Sequence, residues 1–159
     1  MSRSGTLARF SELSDWRQAE AITCAIDAGG LCDLMAVAYV AKFDIGEDEQ
    51  GKTAYRYEVK VECYMDAGTE RDLNLEPWYS WKFNGDLHVV PSVYGTVRED
   101  VTETMYELGA RQIGFDPWNM QQMGETFDAD GFEAIKIPQN RYNHHAPLTL
   151  LLDLVRTRR

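Results

Sequence analysis

The chain has 159 residues, enough for one domain that buries most of its surface without disulfides or a structural metal. With 44% hydrophobic and 26% charged residues it reads as globular rather than disordered, and its net charge of −10 argues against the whole surface being a nucleic-acid platform, though it leaves room for a local DNA groove. No run approaches the about 18 apolar residues of a membrane span and the N-terminus lacks the apolar core of a secretory signal, so the expectation is a soluble, cytoplasmic protein with no membrane contact.

Residues 1–20 are polar and rich in Ser and Arg, and predict a loose leader with one helical turn around Ser14 to Gln18. Ala21 to Ile26 is a short apolar run followed by Asp27, Gly29 and Gly30, and reads as a buried central strand. Leu34 to Phe43 makes a second strand, and the acid- and Gly-rich break from Asp44 to Thr53 is a hairpin-type connection. Ala54 to Met65 alternates with period two: Tyr55, Tyr57, Val59, Val61 and Cys63 share one face, against Arg56, Glu58, Lys60 and Glu62 on a solvated one. These three strands predict an antiparallel meander. The cysteines, Cys24, Cys32 and Cys63, form no CxxC pair and read as buried thiols of a reducing compartment.

Leu75 to Phe83 holds Trp78, Tyr79, Trp81 and Phe83, an aromatic set that more often fills a core than stacks on bases. Leu87 to Val90 predicts a short strand. Val97, Val101, Met105 and Leu108 stand at helical spacing within Thr96 to Leu108, with Gly109 as the C-terminal cap. Gln112 to Phe115 is a strand, Trp118 to Ala129 a helix ending near Gly131, Phe132 to Ile137 a strand, and Leu148 to Arg156 a last helix preceded by Pro147. Arg156, Arg158 and Arg159 read as a frayed, solvated tail.

The pattern most relevant to function is Arg111 to Pro117. An apolar strand ends on Asp116, and Pro117 forbids its continuation while suiting the first turn of a helix. Asp27 closes the earlier run in the same way. Carboxyl ends of strands are where open α/β sheets bind ligands, so two carboxylates at two such ends predict a metal site. Each acid also has a structural reading: Asp27 before Gly-rich sequence is ordinary turn chemistry, and Asp116 is a helix N-cap. Asp33 is either a turn residue or a helper of the site. His144 and His145 read as a surface loop pair, Trp118 and Asn119 as a lock of the helix start against the sheet, and Gln139 and Arg141 as weak candidates for a phosphate.

Taken together, Ile113-Gly-Phe-Asp-Pro-Trp-Asn-Met-Gln-Gln, then Asp130-Gly through Lys136-Ile-Pro-Gln139, then His145-Ala-Pro-Leu148 resemble the nuclease domain of the large terminase subunit of tailed phages. Upstream, Ala25-Ile-Asp-Ala-Gly-Gly30 with Asp33-Leu-Met-Ala36 is similar to the family's first acidic motif, and Tyr79-Ser-Trp81 through Gly85-Asp-Leu87 and Pro91 to its Tyr-, Trp- and Gly-rich segment. The resemblance covers about Trp16 to Leu154. It implies an α/β, ribonuclease-H-like mixed sheet over residues 21–159, an antiparallel three-strand meander plus parallel strands flanked by helices. It also implies a DNA endonuclease that cuts concatemeric genomes during packaging. Asp27 and Asp116 would share two Mg²⁺ or Mn²⁺ ions, with Asp33 as an outer ligand, and the partners would be double-stranded DNA, portal, small terminase subunit and procapsid.

Two departures qualify what the resemblance implies. The G-x-x-x-x-G-K-[ST] loop of the family's motor half does not occur, so ATP-driven translocation is not expected of this chain. The family's third acidic residue lies beyond the Ala-Pro segment and has no counterpart here, which implies a domain lacking its C-terminal part; Asp153 corresponds to the helix directly after Ala-Pro instead. The alternative from another class is a catalytically dead acidic interaction protein or DNA mimic derived from a terminase.

Overall fold

A computed structural model describes residues 15–28, 34–68 and 77–157. The leader before residue 15, Gly29, Gly30, Cys32, Asp33, Leu75, Arg158 and Arg159 lie outside the described residues, as does the side chain of Arg141.

Among the described residues six strands form one mixed sheet: β1 (Ala21–Ala28), β2 (Met35–Glu47), β3 (Thr53–Asp66), β4 (Leu87–Val90), β5 (Gln112–Phe115) and β6 (Glu133–Lys136), in the order β4-β3-β2-β1-β5-β6. β2 pairs antiparallel with β1 and β3, whereas β3/β4, β1/β5 and β5/β6 are parallel, so β2 alone runs against the rest. Four α-helices accompany the sheet: α1 (Trp78–Asn84), α2 (Val93–Glu107), α3 (Pro117–Ala129) and α4 (Arg141–Thr157). This is the predicted α/β class, meander included, and the arrangement is consistent with a ribonuclease-H-like fold. No described helix is long and apolar enough to cross a membrane.

One face of the sheet is closed by α2 and α3. Val93, Val97, Val101 and Met105 of α2, and Met120, Met123 and Phe127 of α3, are buried with Cys24, Ile26, Val37, Tyr39, Ile113 and Phe115. The spacing of these residues places them on one stripe of each helix, the geometry that buries an amphipathic helix on a sheet. Ser92 caps α2, its Oγ accepting the Gly95 N–H at 3.4 Å, and Gly109, at φ +66°, follows the end of the helix as the sequence predicts.

Several expectations are corrected. β2 does not stop at Phe43. The Asp44 carboxylate accepts the Gly46 N–H at 2.8 Å, and after this irregularity pairing resumes at Glu47 opposite Thr53. In β3 the two faces are exchanged: Val59 and Val61 are 54% and 56% exposed, while Glu62 is 6% exposed on the helix-covered side. The inward polar groups are satisfied there. Trp16 Nε1 donates to Glu58 at 2.9 Å, Arg56 pairs with Glu58, Lys60 lies 3.4 Å from Glu62, and Tyr64 Oη donates to Glu62 at 2.8 Å.

The aromatic segment is α1, which contains no buried residue. Its rings pack on one another at helical spacing, Trp78 edge-on to Trp81 at 5.2 Å and Tyr79 stacked with Phe83 at 6.3 Å. The last helix begins six residues before Pro147, which lies inside it. Asn140 starts the helix, its Oδ1 accepting the N–H groups of Tyr142 and Asn143 at 3.0 Å each, and this cap, worth about 1 kcal/mol, offsets only part of the roughly 3 kcal/mol that an interior proline costs.

Candidate functional site

β1 and β5 run side by side in the same direction, with Ile26 opposite Phe115 as the last paired position. Asp27 and Asp116 each follow one residue later, so the register brings the two acids to the same end of neighbouring strands, which lie about 4.8 Å apart. The side-chain period of two turns both away from the face covered by α2 and α3. Asp27 does not close its strand as predicted: β1 continues to Ala28, and Asp27 is paired with Ala36 of β2. Asp116 does end its strand, and Pro117 opens α3 behind it.

The two carboxylates line one pocket of about 190 Å³, together with Gln139 and His144. Its floor is made of small residues in one cross-strand row: Ala25 is opposite Gly114 on one side and Ala38 on the other, and all three line the pocket. Bulkier side chains there would fill the space in front of the acids. Gln139 reaches the site from beyond β6, its Nε2 donating to Asp27 Oδ1 at 3.1 Å. His144 comes from the first turn of α4 and is half-buried; His145 is exposed, its backbone carbonyl accepting from Thr149 Oγ1 at 2.9 Å.

Asp116 has a double role in the geometry. Its Oδ1 accepts the Trp118 N–H at 3.2 Å, so it caps α3 while also lining the pocket. Asn119 locks this helix start to the sheet as expected, Nδ2 donating to the Ala28 carbonyl at 3.3 Å. Trp118 does not take part in that lock; its ring is 86% exposed.

The donor set fits a hard divalent cation. Mg²⁺ prefers oxygen and is commonly held by one or two carboxylates plus substrate phosphates rather than by a complete protein cage. Asp27 and Asp116 would supply those two carboxylates. Among the described residues no group of three or more His, Cys, Asp or Glu side chains converges, and Asp33, the expected outer ligand, lies outside them.

Sequence reasoning placed Asp27 and Asp116 together but did not connect Gln139 to Asp27. That contact spans 112 positions, and no local pattern encodes it. A comparison of the chain with protein families, curated proteins and solved structures finds no match.

Proposed function

We propose that this chain is the DNA endonuclease domain of a phage terminase large subunit, cutting concatemeric double-stranded DNA in the cytoplasm of a bacterial host. The observation that carries the reading is the meeting of Asp27 and Asp116 at the ends of two adjacent parallel strands, in one pocket on the open side of the sheet. The two carboxylates hold the cations, and Gln139 and His144 border the space that a backbone phosphate would enter. Mg²⁺ or Mn²⁺ held there would supply charge stabilisation for in-line phosphodiester hydrolysis, in which a water oxygen bonds to phosphorus, the P–O3′ bond breaks, the water gives up a proton and the leaving O3′ takes one up. Portal, small terminase subunit and procapsid are the partners the resemblance implies.

The test is cleavage of plasmid DNA with Mn²⁺ by the parent protein and by Asp116→Asn. Nicking or linearisation that the variant loses supports the reading; cleavage that survives in the variant removes Asp116 from the chemistry. A second reading, an inactive acidic interaction protein descended from a terminase, rests on the net charge of −10. It is favoured if the parent leaves DNA intact and binds tightly to a basic nucleic-acid enzyme.

A further inference from the structure

We infer that Gln139 is a positioning residue of the carboxylate site, holding Asp27 in the orientation in which it shares a cation with Asp116. The inference rests on the proposed metal-dependent reading and adds to it a residue outside the acidic set.

Asp27 presents only acceptors when ionised, so the Gln139 side chain must turn its NH₂ group toward it, as the 3.1 Å Nε2 to Oδ1 contact requires. The bond occupies one Asp27 oxygen and leaves the other for the pocket. It also crosses the sheet, since β5 lies between β6, where the Gln139 segment originates, and β1.

The segment carrying Gln139 is fixed on both sides. Before it, the Ile137 N–H donates to the Phe115 carbonyl at 2.8 Å, extending the β5/β6 pairing by one step. After it, Asn143 Nδ2 donates to the Pro138 carbonyl at 2.8 Å, and Asn140 caps α4. Ile137 lies over Gly114 of β5: a Cβ there would stand 2.5 Å from Ile137 Cδ1, so a larger residue would push the end of that side chain aside. These bonds hold the backbone on both sides of Gln139 although its side chain is exposed. Hydrogen-bond partners that orient a metal-binding carboxylate belong to the working site even though they do not touch the ion.

Two variants remove the donor, Gln139→Ala and the similarly sized Gln139→Met. Titration of Mn²⁺ into metal-free protein should show both binding about tenfold more weakly than the parent, with melting temperatures unchanged because the bond is exposed. Independently of any metal, the Gln139 side-chain amide protons, followed by NMR, should exchange with water faster in Asp27→Ala than in the parent. Unchanged amide exchange would overturn the inference by removing the contact in solution. Parent-like Mn²⁺ affinity in both Gln139 variants would overturn it while leaving the metal site in place. A parent protein that binds no Mn²⁺ would overturn the metal reading itself, and the positioning role with it.

Discussion

The Asp116 carboxylate accepts the backbone N–H of Trp118 at 3.2 Å, so the acid that faces the pocket is also the N-cap of α3. The two roles separate by substitution. Asp116→Ala removes both and should lower stability by about 1 kcal/mol, the usual cost of losing a cap. Asp116→Asn keeps a cap oxygen but not the charge, and should unfold in urea within a few tenths of a kcal/mol of the parent while losing cation binding.

Phe115, the residue before Asp116, lies directly against Gly124 of α3, where no Cβ fits without displacing its ring. Gly124→Ala should therefore destabilise the protein by about 1–3 kcal/mol, the range for overpacking a dense core, despite the higher helix propensity of alanine. Chemical denaturation checks this, and a stabilised variant would mean that the helix and strand separate easily.

Burial pushes the Tyr64 phenol well above its ordinary 10.0, with Glu62 adding to the shift; burial also raises Tyr39 and the Cys24 thiol, whose ordinary values are 10.0 and 9.0. Each group keeps its proton in the folded chain at a pH where the unfolded chain has lost it. Their contribution is complete below pH 9 and is lost as pH rises above it, first through Cys24 and then through the tyrosines. Each fully ionised group should cost about 1.4 kcal/mol per pH unit. Urea midpoints at pH 8, 9.5 and 10.5 should fall progressively, and Tyr64→Phe should flatten the last step. A constant midpoint would contradict the burial of these groups.

Trp118 and Trp16 are at opposite extremes, 86% and 2% exposed. Acrylamide should quench the emission lost in Trp118→Phe strongly and the emission lost in Trp16→Phe weakly. Trp118→Phe should also change stability by no more than about 0.5 kcal/mol, as for other exposed positions.

The parts of the fold legible in the sequence are those with a strong local signal. Alternation from Ala54 to Met65 predicted β3, helical spacing from Val97 to Leu108 predicted most of α2, and Phe115-Asp116-Pro117 marked the junction of β5 and α3. Alternation gives a period but not which face is covered, and in β3 the charged face is inward because Trp16, Lys60 and Tyr64 satisfy it. Of the aromatics of α1, Trp78 packs against the small core of Met65 and Leu87 as aromatics usually do, whereas nothing in the pattern marked Tyr79, Trp81 and Phe83 as staying exposed. Pro147 was read as a helix boundary, whereas the cap is Asn140, seven residues before it, at the edge of α4. In the site, Asp116 after the end of β5 was readable as a local pattern, whereas β1 runs one residue past Asp27; the Gln139 contact depends on strand order, which exists only after the sheet forms.

The central claim is that Asp27 and Asp116 form one cation site, and the most direct test is isothermal titration of Mn²⁺ into the parent, Asp27→Ala and Asp116→Ala. The account predicts binding to the parent that disappears in both variants. Binding that persists in either variant, or a parent that takes up no Mn²⁺, would contradict it.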